Sequence, residues 1–195
     1  MSWDYYGKEW QEIKPKIPFK QLPMILIDDK HEICQSIAIL NFIENISGMR
    51  LEDPIQDAKA SSILQSAQEL FLPLNPAVNF AVGDDFKKRR DDMLPFLETR
   101  FEELEKILIS NKDQFFIDNT PRACDFAAFH HLDLSRELDE MIIKKFPRLE
   151  EFLDDISKLS SIESYLAKRP ELIDVSIEPK LVIDGKPELT GTKKM

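Results

Sequence analysis

The sequence predicts an α+β fold in which a short segment of strands and one helix precedes a longer all-helical domain. Two observations support this prediction. The opening residues are divided by prolines and contain a short apolar run, whereas from about residue 57 the apolar residues recur at three- and four-residue spacing. Strands and helices that occur in separate blocks are typical of α+β proteins. We place the first domain at residues 1–47, the helical domain at 53–172 and an extended tail at 173–195.

The first domain is predicted to run strand, turn, strand and helix. The run Met-Ile-Leu-Ile at 24–27 is followed by a polar turn around Asp28-Asp29 and a second short run at 33–34, as in a β-hairpin. Apolar residues then fall at helical spacing over 36–43, and Gly48 is a typical helix end. A single helix therefore follows the hairpin.

The second domain is predicted to contain five helices, at about residues 56–72, 87–110, 122–134, 148–158 and 161–168. Five apolar residues of the second helix share one face: Leu94, Leu97, Phe101, Leu104 and Leu108. We interpret this stripe and its counterparts as core packing between helices. Residues 173–195 contain Pro179, Gly185 and Pro187 and lose the helical period, which predicts an extended tail.

Composition restricts the possible partners and compartment. The 195 residues carry a net charge of −10, which repels nucleic acid and anionic lipid surfaces. No apolar run approaches the roughly 20 residues that a membrane-spanning helix needs, and the first residues are neither basic nor strongly apolar. We therefore expect a cytosolic protein without nucleic-acid or membrane partners or a bound metal. Cys34 and Cys124 lie beside apolar runs, so we expect two packed thiols instead of a disulfide.

Four short motifs follow one another within the first 40 residues. They are Trp-Gln-Glu-Ile-Lys at 10–14, Pro-Phe-Lys-Gln-Leu-Pro at 18–23, an Ile-Asp turn at 27–28 and Gln-Ser-Ile-Ala-Ile at 35–39. Taken singly, each has an ordinary structural explanation as a packing anchor, a strand start or a helix cap. In this order and spacing they resemble the glutathione-binding domain of sigma-class glutathione transferases.

The resemblance continues over roughly residues 8–172. The run Thr-Pro-Arg-Ala-Cys-Asp-Phe at 120–126 resembles the capping motif of the core helix in the family's second domain, and 146–149 and 168–170 are similar to its last two helices. It implies a truncated thioredoxin-like domain followed by an all-α domain, with Asp125 as a buried structural cap. It also implies a cytosolic homodimer that conjugates glutathione to hydrophobic electrophiles in detoxification; some members isomerise prostaglandin H or reduce lipid hydroperoxides.

Glutathione is the substrate that the resemblance implies, and seven residues would bind it. Trp10 and Lys14 would meet the glycyl end, Leu22 with a cis-Pro23 and flanking Gln21 the cysteinyl backbone, and Gln35 and Ser36 the γ-glutamyl carboxylate. This division agrees with the chemistry of the groups. An extended backbone pairs with an added strand, and a strand-to-helix junction offers free N–H groups to a carboxylate.

The chain also departs from the family's pattern. The family's catalytic tyrosine precedes the tryptophan by about 30 residues, whereas Tyr5 and Tyr6 lie only five and four residues before Trp10. We therefore expect this form to lack the first strand and the phenol that activates the thiol, and to conjugate glutathione slowly, with no catalytic residue assigned. Lys20 replaces a usual glycine. In the family, the neighbouring subunit normally supplies an acidic residue to the γ-glutamyl amine. The corresponding position of this sequence falls near Leu70, and whether the adjacent Glu69 replaces that acid stays open.

Two alternatives remain at this point. One is a non-catalytic binding or structural protein of the same fold, comparable to lens crystallins derived from this class. The other is an interaction domain that uses the helical half as a platform. The missing tyrosine favours the first alternative, whereas the complete set of glutathione-binding residues favours a transferase.

Overall fold

The computed structural model describes residues 11–80, 83–169, 180–183 and 186–189. The chain divides into two compact units, residues 1–51 and 52–195. Among the described residues, the first unit contains one β-hairpin followed by a helix, and the second is helical except for a short hairpin near the end of the chain. The α+β prediction is confirmed.

The first unit is a hairpin covered by a helix. Residues 11–13 are helical, and 3₁₀ turns at Lys14–Lys16 and Pro18–Lys20 lead to β1 (Met24–Ile27), β2 (His31–Cys34) and α1 (Ser36–Ile46). The strands pair antiparallel from Met24↔Cys34 to Ile27↔His31. α1 contacts both strands. The small core of this unit includes Ile17, Cys34 and Ile39.

The predicted acidic turn closes the hairpin. Asp28 and Asp29 both have positive φ, 49° and 54°, and the Lys30 N–H donates to the Ile27 carbonyl at 3.0 Å. Two consecutive residues with positive φ match the right-handed twist of the strands, and Asp is one of the few residues that adopt this conformation readily.

The second unit contains seven described helices. They are α2 (Pro54–Glu69), α3 (Phe71–Phe80), α4 (Gly83–Asn111), α5 (Ala123–Leu138), α6 (Glu140–Ile143), α7 (Pro147–Ser157) and α8 (Ser160–Leu166). α5 is central and packs against α2, α6 and α7, with its longest contact to α2. The core is aromatic: Phe116 and Phe152 meet edge to face at 5.1 Å, and Phe101 and Phe146 at 5.7 Å. The size of this core agrees with the long apolar stripes in the sequence.

The five predicted helices are present, but two further helices and a hairpin were not predicted. The helix predicted over 56–72 ends at Glu69, and α3 begins at Phe71 and contains Pro73 and Pro76. These prolines mask the helical pattern. The four-residue α6 is too short to show a period.

The tail prediction needs a correction, because two described parts of 173–195 pair with each other. β3 (Lys180–Ile183) and β4 (Lys186–Leu189) form an antiparallel ladder from Lys180↔Leu189 to Ile183↔Lys186. The signal was present in the sequence as Asp184-Gly185 between two runs of strand-forming residues. Asp-Gly is among the strongest short-range indications of a hairpin.

Asp125 anchors the start of α5. It is fully buried, its Oδ2 accepts the Arg122 N–H at 2.8 Å, and its Oδ1 accepts the Phe116 N–H at 2.9 Å. The expected burial and backbone bonding are confirmed. One donor to Asp125 differs from the prediction, because Phe116 belongs to the loop before α5 and not to its first turn. The Thr120 N–H donates to Asp118. Burial outweighs these hydrogen bonds and raises the pKa of Asp125 to about 6.

Both cysteines are buried free thiols, as predicted. Within the described ranges, no helix combines the length and the apolar composition that crossing a bilayer requires.

Candidate functional site

The hairpin brings two of the predicted motifs together. Because Met24 pairs with Cys34 at the open end of the ladder, the residues just outside it lie at the same end. These are Leu22 and Pro23 before β1, and Gln35 and Ser36 after β2. Four of the seven predicted glutathione-binding residues therefore surround one end of the hairpin.

The segment before β1 is extended and exposed. Gln21 has φ −137° and ψ 152°, and Leu22 is 55% exposed and lies outside the β1–β2 ladder. The Leu22–Pro23 bond is cis, so this part of the prediction is confirmed. An exposed, extended backbone before an edge strand is a surface to which an extended peptide can add as a further strand.

The junction after β2 has an unusual backbone conformation. Gln35 has φ 76° and ψ 120°, outside the regions that side-chain-bearing residues normally populate. Its carbonyl accepts the Ile39 N–H at 3.0 Å and starts α1. Within the part of the chain that the structure describes, no side-chain cap hydrogen bond is made at this end, and the first turn of α1 contains no acidic residue. The N–H groups around Ser36 therefore form the positive N-terminal end of α1. Such an end suits a carboxylate.

A tight turn connects Lys14 to this region. Ile17 is its buried anchor, and the Lys20 N–H donates to the Ile17 carbonyl at 3.0 Å. The turn packs on β2, where the Cys34 thiol donates to the Pro18 carbonyl at 3.6 Å. We interpreted Cys34 from the sequence only as a packed thiol. Its neighbour Gln35 was the available signal that Cys34 adjoins the candidate site in the sequence.

Phe19 and Lys20 have positive φ, 60° and 52°. This conformation costs a residue with a side chain roughly 1–2 kcal/mol, whereas glycine adopts it freely. Lys20 replaces a glycine that is usual in the family that the sequence resembles. The positive φ at this position is a conformational reason for glycine to occur there. Phe19, 72% exposed, is the most exposed aromatic residue among the described residues of the first unit.

The turn is also basic. Lys14, Lys16 and Lys20 are all exposed within seven residues of a chain whose net charge is −10. A local cluster of cations on an acidic protein favours an anionic ligand at this place. Trp10, the remaining predicted residue, lies outside the described residues, as do Tyr5 and Tyr6.

Glu69, the candidate for the acid supplied to a neighbouring site, belongs to the second unit. Its Oε2 lies 2.6 Å from Arg100 Nη2, and Arg100 also pairs with Glu103 at 2.7 Å. The guanidinium lies over the Phe96 ring at 5.3 Å. The carboxylate of Glu69 is therefore held by a partner on α4, and its role toward a ligand stays a prediction.

Comparison with known proteins agrees with this geometry. Residues 4–45 match the family model of the glutathione S-transferase N-terminal domain, and residues 74–169 match that of the C-terminal domain. This chain belongs to the glutathione S-transferase family. The two matches together span more than two thirds of its length. The N-terminal match includes the predicted binding residues, and the structure describes six of these seven.

Relatives among known transferases cover most of the chain. The probable glutathione S-transferase 6 of Caenorhabditis elegans is 25% identical over 168 residues, which are 84% of this chain and 81% of that protein. Human glutathione S-transferase Mu 4 is 27% identical over 165 residues, covering 84% and 73% of the two chains. Relatives described as P and Mu transferases both occur, so these matches do not single out one class.

Solved transferase structures share the fold. Monomeric Na-GST-3 from the hookworm Necator americanus superimposes with a TM-score of 0.76 at 24% identity, covering 84% of this chain and 81% of its own. The rat protein hPGDS, complexed with a quinoline, gives a TM-score of 0.71 at 20% identity and covers 84% and 80%. The fold is therefore that of a glutathione S-transferase, with a small thioredoxin-like domain and a helical domain.

Proposed function

We propose that this chain is a sigma-like glutathione transferase that binds glutathione at the open end of the β1–β2 hairpin. The observation that carries the proposal is the uncapped start of α1 at Gln35 and Ser36, next to the exposed backbone of Leu22. Together they offer a carboxylate site beside a strand-addition site, which is what the γ-glutamyl and cysteinyl parts of glutathione require.

A binding measurement tests this proposal directly. Isothermal titration of the purified protein with glutathione should give a measurable affinity that Ser36→Ala and Lys14→Ala each weaken several-fold. Ser62→Ala, an exposed serine on α2, and Lys30→Ala, an exposed lysine in the hairpin turn, are matched controls and should bind like wild type. Equal affinity of all four variants would contradict the site.

We propose further that conjugation by the 195-residue form is slow. The thiol of glutathione is mostly protonated at pH 7, and a positioned phenol lowers its pKa. Neither Tyr5 nor Tyr6 has the spacing from Trp10 that the family's tyrosine has. Turnover of a generic aromatic electrophile such as 1-chloro-2,4-dinitrobenzene should therefore be low, and addition of a family-type strand and helix with a tyrosine should raise it. Robust turnover that Tyr5→Phe or Tyr6→Phe abolishes would refute this assignment.

The second candidate is a non-catalytic glutathione-binding or structural member of the family, comparable to a crystallin. The spacing of the tyrosines favours it, whereas the lysines and the open helix end of the candidate site favour retained glutathione binding. Tight glutathione binding without turnover, even after the extension, would support this second candidate.

The wider properties follow from the same proposal. The second substrate is a hydrophobic electrophile, with peroxidase and prostaglandin isomerase activity as further possibilities for the sigma class. We place the protein in the cytosol as a homodimer with a role in detoxification. Sedimentation equilibrium tests the dimer, and a molecular mass of one chain at micromolar concentration would contradict it.

A further inference from the structure

The β1–β2 hairpin of the first unit has a sheet edge that is unpaired within the described part of the chain. β1 forms a ladder with β2 only, and each of these two strands has four residues. Leu26 of β1 is 52% exposed. A two-stranded sheet of this size is at best marginally stable in water, and three or more strands are normally needed. A further strand on β1 would therefore stabilise the first unit.

One hydrogen bond identifies the backbone groups that face this edge. The Ile27 carbonyl accepts the Lys30 N–H at 3.0 Å across the hairpin turn, so Ile27 directs its backbone groups towards β2. Successive residues of an antiparallel strand direct these groups to opposite sides. Ile25 therefore also faces β2, and Met24 and Leu26 face the free edge. β1 offers the N–H and C=O groups of two residues to another strand.

The two edges of the hairpin differ in how they are protected. Soluble proteins place charged residues or proline on edge strands, which disfavours pairing with other chains. β2 carries Glu32 directly opposite Leu26, so its outer edge has such a charge. The sequence of β1, Met-Ile-Leu-Ile, contains neither a charge nor a proline. Pairing is therefore favoured at β1.

The segments on either side of β1 carry opposite charges. Residues 12–20, before β1, contain three lysines and one glutamate, and residues 28–30, after β1, contain two aspartates and one lysine. All of these charged side chains are exposed. If a second copy of β1 pairs antiparallel, the basic segment of each copy lies next to the acidic segment of the other, whereas a parallel pair places like charges together. This complementarity favours a second copy of the chain.

We propose that two copies of this chain associate through β1, and that the two β1 strands pair antiparallel across a two-fold axis to form one four-stranded sheet. The symmetric register that bonds both outward-facing residues within β1 pairs Met24 with Leu26 of the second copy. Ile25 then lies on the axis. β2 forms both outer edges of this sheet, and the charge of Glu32 on each edge limits the assembly to two copies.

This inference names the interface of the homodimer proposed above, and in that respect it rests on the proposed function. It does not require glutathione binding, because Leu22, Gln35 and Ser36 lie outside the four residues of β1. Isothermal titration with glutathione therefore tests the binding site separately from the interface.

Sedimentation equilibrium of the full chain tests whether this edge is used. Leu26→Pro removes an outward N–H but no donor of the β1–β2 ladder, and Glu32→Pro makes the matched change on the outer edge of β2. The Leu26→Pro dimer loses two symmetric hydrogen bonds, so its dissociation constant should rise at least about ten-fold. Glu32→Pro should dimerise like wild type. A wild-type dimer that Leu26→Pro does not weaken overturns this interface alone. A monomeric wild type also overturns it and leaves the edge to a segment of the same chain, such as residues 1–10.

Disulfide trapping tests the register and does not depend on the proline variants. Ile25→Cys faces its own copy across the axis in a non-hydrogen-bonded pair, with Cα atoms about 4.5 Å apart, which a disulfide can bridge. Leu26→Cys is offset from its own copy by two residues, at about 7–8 Å, which is too far.

Oxidation by oxygen with copper phenanthroline should therefore convert Ile25→Cys, but not the more exposed Leu26→Cys, into a covalent dimer on a non-reducing gel. Cys34 and Cys124 are buried free thiols and are common to both proteins. No covalent dimer from Ile25→Cys, or an equal amount from Leu26→Cys, overturns the proposal.

Discussion

His131 is buried in the core without a full set of hydrogen-bond partners, and its titration should govern stability in acid. It lies on α5 and is 4% exposed. Nε2 lies 3.3 Å from Gln68 Oε1 on α2, and Nδ1 is buried without a hydrogen-bond partner among the described residues. Burial, and then the His130 ring at 4.9 Å, lower the pKa of His131 to about 4. Protonation would place an unpaired charge between α2 and α5.

The sign of the effect follows from linkage. The folded-state pKa lies below the ordinary value of about 6.5, so neutral His131 contributes stability above pH 6.5 that is lost as the pH falls towards 4. At pH 5 the loss is about 2 kcal/mol. Asp125 acts in the opposite direction. Its raised pKa, about 6, favours the protonated folded state and adds about 1 kcal/mol between pH 7.5 and pH 5.

His131→Leu and Asp125→Asn should therefore change the pH dependence in opposite directions. Wild type should lose less than about 1 kcal/mol from these two groups between pH 7.5 and 5, because their effects partly cancel. His131→Leu should gain about 1 kcal/mol over the same interval, and Asp125→Asn should lose about 2 kcal/mol. His130 and the other titrating groups are common to all three proteins.

The assay is urea unfolding followed by far-UV circular dichroism at pH 7.5 and 5.0, with the free energy of unfolding taken at each pH. His31→Leu, the same change at an exposed position of β2, controls for the loss of an imidazole. A His131→Leu protein that loses as much stability as wild type between the two pH values would refute the reasoning.

Three further predictions concern ion pairs and caps, each measured as the change in the free energy of unfolding. Asp133 is buried and bonded by Arg169 at 3.1 Å, so Asp133→Ala should cost about 3 kcal/mol, and a smaller loss than 1 kcal/mol would contradict a structural role. Asp53 caps α2, and Asp53→Ala should cost about 1 kcal/mol, which Asp53→Ser should largely restore. Lys145 pairs with Glu98 in water, so Lys145→Ala should cost less than about 1 kcal/mol, and a larger loss would show that this pair is not an ordinary surface one.

The periodic parts of the chain were the predictable ones. The stripe that ends at Leu108 repeats a spacing that only a helix produces, and the short apolar run at 24–27 is closed by an acidic turn, so α4 and β1 follow from the sequence. α3 did not follow, because the prolines at 73 and 76 are ordinarily helix breakers. Its stability depends on tertiary packing around Leu74 and Ala77, which no local pattern contains.

The candidate site was predictable in composition but not in geometry. Motif order placed Leu22, Pro23, Gln35 and Ser36 near one another, and the register of the hairpin explains why they are adjacent. The residue type at position 20 gives no indication of its positive φ, because lysine seldom adopts a positive φ. Such conformations are set by the surrounding contacts rather than by local propensity.

The conformation of Gln35 is itself an argument for a ligand at this end of the hairpin. A glycine would adopt φ 76° without steric cost, yet the chain has a residue with a long amide side chain there. The amide neither caps α1 nor packs in the core, because Gln35 is exposed and forms no side-chain cap hydrogen bond. A strained backbone that holds an exposed polar side chain beside an open helix end gives the folded chain no evident stability. The strained backbone therefore supports the proposal that Gln35 and the N–H groups next to it bind a ligand.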